Sequence, residues 1–421
     1  MKKTLLYFEE YESELSHALW KRTDINVIFL RTDRNAKFFS RDYYDETARR
    51  SNVYMMFIDD NNNYSTIIPF KNWLEHHGYH LDYFLNDSEY YMEFSNKVAA
   101  ELGLECLTSE QVKWVRDKVS MKDKFNEIGI KTVDYSAIDN KDDIYKFFRD
   151  HGGKKIVVKP RNAMNSIDVY MLETINDIDT LPISIVKDKY MVEVYCPYRE
   201  WSIESLIQDG KVLDSYLTYI DSSTIEASIN GALNCHMQLI EYPKYFETSP
   251  KEFVQRIVDG MNLKNGAMTI ELFVSDDGLM VASEMGWRFP GCKTTTNISI
   301  SRGFNMHDAL IDIAIHKPVV LNYKKPITCP GDIYLPNKEG VIESFTSLEE
   351  LSKMPGYVKG ELFIKEGDYV QKRRVGTDAS GWVIVQSKSP EETLNMMKNI
   401  YNNYRITVKE EEKGNERVRK I

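Results

Sequence analysis

The first hundred residues alternate between two hydrophobic periods. Thr4–Phe8, Asn26–Leu30 and Val53–Ile58 are short apolar runs, the pattern of buried strands. Ser13–Trp20, Phe70–His77 and Ser88–Leu102 carry helical spacing, and Gly103 closes the last of them. Strands alternating with helices predict a small parallel α/β domain over residues 1–107. Residues 108 to about 126 read as helical, opened by Thr108-Ser-Glu-Gln111, a capping-box pattern. An α+β region follows. Ile156–Lys159, Val169–Leu172 and Tyr190–Tyr195 are predicted strands, and Ser249–Met261 is an amphipathic helix. Asp-Gly turns signal two hairpins. Glu200–Ile207 and Val212–Tyr219 flank Asp209-Gly210, and Ala267–Val274 and Leu279–Arg288 flank Asp277-Gly278. The middle domain is expected to span 108–318. After Pro318, short strands punctuated by glycine predict a β-rich domain over 319–408, covered by a helix from Pro390 to Tyr404, with 409–421 a charged tail.

The chain has 421 residues, of which 42% are apolar, 12% aromatic and 28% charged. That supports real cores, and at ~150 residues per domain the length suggests two or three domains. No run approaches the ~20 apolar residues of a membrane span. The start resembles a signal peptide only briefly, because Glu9, Glu10 and Glu12 interrupt it. A cytoplasmic protein with no membrane partner is expected. The net charge of −10 argues against a nucleic-acid partner but leaves room for a small anion in a local positive pocket. The five cysteines are far apart and form no CxxC pair, so neither a disulfide framework nor a zinc site is suggested.

The second hairpin is the most informative stretch. With Asp277-Gly278 as a two-residue turn, Glu271 falls directly opposite Glu284. Gly286 and Arg288 share that face by the period of two, while Ile270, Leu272, Met285 and Trp287 point into a core. Opposed carboxylates destabilise a bare sheet. A divalent cation between them reverses the sign, and oxygen-only ligands suit magnesium. Arg288 would reach an anion beside the metal, and Gly286 leaves room for a ligand against the strand. The competing reading is a salt-bridged, solvated sheet face.

Upstream, Lys118 lies near a helical stretch and Lys159 ends an apolar strand, where a lysine can reach a phosphate as a point charge. Arg161–Ser166 is a small polar loop, a plausible phosphate cover without glycine. Glu193 and Glu200 stand seven apart around a strand end. The first, with backbone amides nearby at Val194 and Cys196, can read an adenine edge, and the second can accept from ribose hydroxyls.

Together these pieces resemble the ATP-grasp family of ATP-dependent ligases, over about Lys118 to Asp308. The resemblance implies an ATP-grasp fold, with Lys118 and Lys159 on ATP phosphates, Glu193 on the adenine amino group and Glu200 on ribose. It also implies magnesium on Glu271 and Glu284, two ions with manganese as a substitute, and Arg288 stabilising the reacting phosphate. Two features depart from the pattern. Only Ser166 survives of the family's glycine-rich loop, and Gly286 stands where many members have an asparagine that the amino-acid ligase branch, with its E-x-A-x-R pattern, also lacks.

In that chemistry the ATP γ-phosphate converts a carboxylate into an acyl phosphate, which an amine or thiol then attacks. The expected activity is a carboxylate–amine ligase acting on small molecules, with an amino acid as the carboxylate. A carboxylate–thiol ligase loading an acyl carrier protein, a biotin carboxylase-like enzyme and an inactive ATP-binding module are the alternatives. His236 and Arg302 are the candidate substrate-side residues, and a homodimer is a compatible assembly.

Overall fold

Continuous apolar runs become the inner strands of a parallel sheet. In the computed structural model, which describes residues 2–32, 39–50, 52–58, 67–164, 167–182, 189–222, 233–324, 327–371 and 378–409, Thr4–Phe8 is buried along its whole length. The sheet runs Val53–Ile58, Asn26–Thr32, Thr4–Phe8, Tyr83–Asn86, all parallel. The last strand has four residues of mixed polarity and escapes the hydrophobic pattern. Strand order reverses between Thr4–Phe8 and Tyr83–Asn86, and open α/β sheets bind ligands at such a point. Chain leaving those two strands carries Glu9 and Glu10, and Asp87 and Glu89.

The single helix expected from residue 108 is two, Ser109–Arg116 and Lys118–Glu127. Asp117 breaks it. Its backbone is extended (φ −92°, ψ 109°), and its side chain accepts from the Ser120 amide as the cap of the second helix. Arg161 donates to both Asp117 oxygens at 2.8 Å, tying the break to the segment after Ile156–Pro160. Lys118 thereby becomes the first residue of a helix.

Two larger antiparallel sheets follow, of the three that the described residues form. The smaller runs Tyr135–Ile138, Tyr190–Val194, Ile156–Pro160, Tyr170–Leu172. The larger has eight strands in the order Met280–Gly286, Gly266–Val274, Arg199–Gln208, Lys211–Ile220, Cys235–Gln238, Cys329–Leu335, Gly381–Ser387, Tyr357–Leu362. The expected division at 318 is crossed by this sheet, because Cys329–Leu335 pairs with Cys235–Gln238. A separate three-stranded sheet, Tyr369–Val370, Gly340–Phe345, Ile406–Lys409, lies wholly beyond that division. One face buries Met268, Ile270 and Leu272 with Phe253, Ile257 and Met261 of the helix Pro250–Met261. Period-two alternation turns Thr269, Glu271 and Phe273 the other way, into a cavity. Among the described residues no helix is long and apolar enough to cross a membrane.

Candidate active site

The two Asp-Gly hairpins differ. Asp209 and Gly210 both have positive φ (52° and 75°), and Gln208 pairs with Lys211, a true two-residue turn. The second hairpin has a longer loop. Val274 pairs with Met280, and Ser275 N–H donates to Leu279 O at 3.1 Å. Gly278 (φ 89°) packs against another segment, where a Cβ would stand 1.6 Å from Tyr245 O. This loop alone would shift every pairing by one residue. A bulge at Ser283 restores it, so Leu272 pairs with Ala282 but Glu271 pairs with Glu284. The opposed carboxylates are present, produced by a loop and a bulge that cancel. Gly286 and Arg288 share their face, since a Cβ at Gly286 would stand 3.4 Å from Arg288 Cγ.

A cavity of about 240 Å³ is lined by Lys118, Lys159, Glu193, Glu200, Glu271, Glu284, Arg288 and His236, together with Glu89. Lys159 donates to Glu284 Oε1 at 2.8 Å and lies 2.7 Å from Glu193 Oε1. Lys118 lies 3.3 Å from Glu284 Oε2 and donates to Ala163 O at 2.6 Å. Burial pushes the Glu284 carboxyl up, but Lys118 and Lys159 outweigh burial and hold it well below the usual carboxylate range. Burial alone would lower Lys159, and Glu193 and Glu284 more than reverse that.

Glu271 is the opposite case. Burial first, then the charges of Glu200, Glu284 and Glu89, push its carboxyl up to about 8. A buried carboxylate repelled by three others fits a hard divalent cation, whose charge removes the repulsion. Among the described residues no group of three or more His, Cys, Asp or Glu side chains forms a ready metal cage. Glu271 and Glu284 could hold magnesium only with oxygens supplied by a ligand and water.

The N-terminal sheet supplies one wall. Arg288 Nε donates to Glu89 Oε2 at 2.9 Å, and Arg116 donates to the other Glu89 oxygen at 2.6 Å. Asp87 accepts from the Phe289 amide at 3.2 Å. Burial pushes Asp87 up to about 7, although the Phe289 amide and Arg288 pull it back.

The remaining expected residues divide. His236 lines the cavity and pairs with Asp332 at 3.0 Å. Cys196 is buried near the strand end. The Val194 amide donates to Asp134 O at 2.9 Å, so this amide is not available to an adenine edge. Ser166 lies outside the described residues. Arg302 stands apart from the cavity. Its Nη2 donates to Leu239 O and Ile240 O at 3.2 and 3.0 Å, and its guanidinium lies 5.7 Å from the Tyr216 and Tyr323 ring centres.

Three participants escaped the sequence reading. Lys122, fully buried, lies 3.1 Å from Glu193 Oε2 and donates to Thr132 Oγ1 at 2.8 Å. Its signal was the spacing of four from Lys118, which puts both on one helix face. Glu89 and Asp332 had no local signal, because their partners lie far away in sequence.

Residues 333–409 match the family profile described as L-amino acid ligase C-terminal domain 2. The L-arginine-specific L-amino acid ligase of Bacillus subtilis is 21% identical over 275 residues, 63% of this chain and 65% of the length of that relative. Among solved structures, the L-amino acid ligase from Bacillus licheniformis matches with a TM-score of 0.76 at 16% identity, covering 97% of this chain and 99% of that one. Phosphoribosylglycinamide synthetase from Anaerococcus prevotii matches with a TM-score of 0.67 at 17% identity, covering 97% and 100%.

Proposed function

We propose that this chain, which has the ATP-grasp fold and matches an L-amino acid ligase domain at residues 333–409, is an ADP-forming ligase that joins a carboxylate to an amine through an acyl phosphate. The observation that carries the reading is the pairing of Glu271 with Glu284, facing Lys118 and Lys159, with Arg288 further along the same strand face. A carboxylate is a poor electrophile, and phosphorylation makes it reactive. Lys118 and Lys159 bind the nucleotide phosphates, exchanging Glu284 for phosphate oxygens. Glu193 and Glu200 hold the adenine and ribose, and the backbone at Cys196 borders the base. Glu271 and Glu284 would hold magnesium, which when bound would supply charge neutralisation at the transferred phosphoryl group. Arg288, oriented by Glu89, stabilises charge on that group and then on the tetrahedral intermediate. No side-chain nucleophile is required.

The similarity to an L-arginine-specific L-amino acid ligase of Bacillus subtilis supports an amino acid as the activated carboxylate. An ADP-release screen of the purified chain tests the reading, with amino acids singly and in pairs, and with and without a pantetheine thiol. Magnesium-dependent ADP with an amide product supports it. ADP formed only with a thiol-bearing carrier, giving a hydroxylamine-labile thioester, replaces it with carrier loading.

A further inference from the structure

Beneath the floor of the cavity lies a buried acid that phosphate chemistry does not use. Ser202 and Glu204 stand two apart on Arg199–Gln208 and so share one face of that strand. Ser202 lines the cavity and pairs with Glu271 on the neighbouring strand, whereas Glu204 has no solvent exposure. Ser202 Oγ donates to Glu204 Oε1 at 2.6 Å, and Thr218 Oγ1 donates to Glu204 Oε2 at 2.7 Å. Gln238, opposite Thr218, spends its Nε2 on the carbonyls of Leu217 and Leu239 at 3.0 and 3.1 Å. The Ser202 hydroxyl therefore stands between Glu204 and the cavity.

Among the described residues no cation pairs with Glu204, and a buried carboxyl held only by hydroxyls is poised between its two protonation states. Burial pushes it up to about 7, although Ser202, Thr218 and His236 pull it back. The charged groups sharing this face of the sheet are Glu200 on the same strand, Glu271 and Glu284 to one side, and His236 and Asp332 to the other. Arg302 lies 5.7 Å from the ring centre of Tyr216, the residue opposite Glu204. When ionised, Glu204 accepts from Ser202. When protonated, it donates to Ser202 Oγ, and the serine hydroxyl turns to the cavity. The other candidates for a base are committed. Burial would lower His236, but Cys292 and Asp332 outweigh it and hold the imidazole charged, so it has no lone pair for a proton. In the ligase reading Glu271 is given to magnesium.

Resting on the ligase reading, we propose that Ser202 and Glu204 form a relay that removes the proton of the attacking amine. Directly opposed side chains stand roughly 5 Å apart, so Ser202 borders the group that Glu271 would hold. As the amine nitrogen bonds to the acyl carbon, the carbon–oxygen bond to phosphate breaks and its electron pair leaves with phosphate. The amine proton passes to Ser202 Oγ, and the serine's own proton passes to Glu204 Oε1. Ser202 makes the contact, and Glu204 acts through it.

The test separates amide formation from acyl phosphate formation. The full chain is given magnesium, ATP and amino acids in pairs, or one amino acid with hydroxylamine, which is unprotonated at neutral pH and traps acyl phosphates as hydroxamates. Glu204→Gln keeps the hydrogen bonds and removes the base. It lowers kcat for amide formation about a hundred-fold and hydroxamate formation no more than about two-fold. Wild-type kcat for the amide rises with pH through about 7, and Glu204→Gln lacks that limb. If that variant does not fold, Ser202→Ala breaks the relay at its cavity end with the same selective loss, and Ser202→Thr restores most of the rate. Wild-type amide turnover and pH profile in Glu204→Gln, or equal losses of amide and hydroxamate, overturn the relay. Hydroxamate without amide from any pair in the wild type overturns it too, whereas neither product with any amino acid defeats the ligase reading beneath it.

Discussion

Glu271 and Glu284 face each other across one hairpin but occupy opposite electrostatic environments. Glu284 is held ionised by Lys118 and Lys159, while Glu271 is pushed up to about 8 by burial and neighbouring carboxylates. Replacing each by glutamine therefore has unequal effects on the ligand-free protein. Glu284→Gln leaves two buried lysines short of a counter-charge and costs about 1–3 kcal/mol. Glu271→Gln replaces a carboxyl that is already mostly protonated at neutral pH in the ligand-free protein, so stability holds or rises. Both lower magnesium-dependent ADP formation about a hundred-fold or more. Thermal melts beside ADP assays check this, and wild-type activity in both variants would remove the metal assignment.

Binding and turnover separate by residue. Lys118→Ala and Lys159→Ala each remove a charge-assisted contact and weaken ATP binding about ten-fold or more. Arg288→Ala keeps ATP affinity near wild type and abolishes turnover, because its charge acts where charge develops. Calorimetric titration with ATP decides between these outcomes. Unchanged affinity in both lysine variants contradicts the nucleotide assignment.

Arg302 belongs to the framework. Its contacts are the carbonyls of Leu239 and Ile240 and two tyrosine rings. Arg302→Ala destabilises the fold by about 2–3 kcal/mol and leaves kcat/KM per folded molecule unchanged. Urea melts and steady-state kinetics on one preparation test it.

How much of this was legible in sequence depends on where the information lies. Thr4–Phe8 and Asn26–Thr32 are buried on both faces, so their apolar runs show directly. Tyr83–Asn86 and Cys235–Gln238 have four residues each, too few for a period to register. The Asp117 break hides within continuous helical spacing, although Asp117 three residues before Ser120 is a cap pattern. The Glu271–Glu284 pairing was reached through a two-residue turn, whereas the hairpin reaches it through a longer loop and the Ser283 bulge. Lys159 between Glu193 and Glu284, Arg288 on Glu89 and His236 on Asp332 join residues distant in the chain, which one sequence cannot pair.

Stability should fall with rising pH through a buried acid next to the cavity. Glu204 has no solvent exposure. It accepts from Ser202 Oγ at 2.6 Å and Thr218 Oγ1 at 2.7 Å. Burial pushes it from its ordinary 4.5 up to about 7, although Ser202 and Thr218 pull the other way. The folded state then binds this proton more tightly than the unfolded state. Its contribution is fully present below about 4.5 and is lost as pH rises through 7, on the order of 3 kcal/mol in all. Glu204→Gln flattens that part of the curve. Unfolding free energies measured from pH 4.5 to 8 on both proteins give the difference, and identical slopes contradict the assignment.

The most direct measurement of the central claim follows the carboxylate oxygen. The chain is incubated with magnesium, ATP and amino acids labelled with ¹⁸O in their carboxylates, and the released phosphate and products are weighed by mass spectrometry. Ligation through an acyl phosphate transfers one ¹⁸O to phosphate for each ADP and each amide formed. Unlabelled phosphate, or AMP and pyrophosphate in place of ADP, would contradict the account.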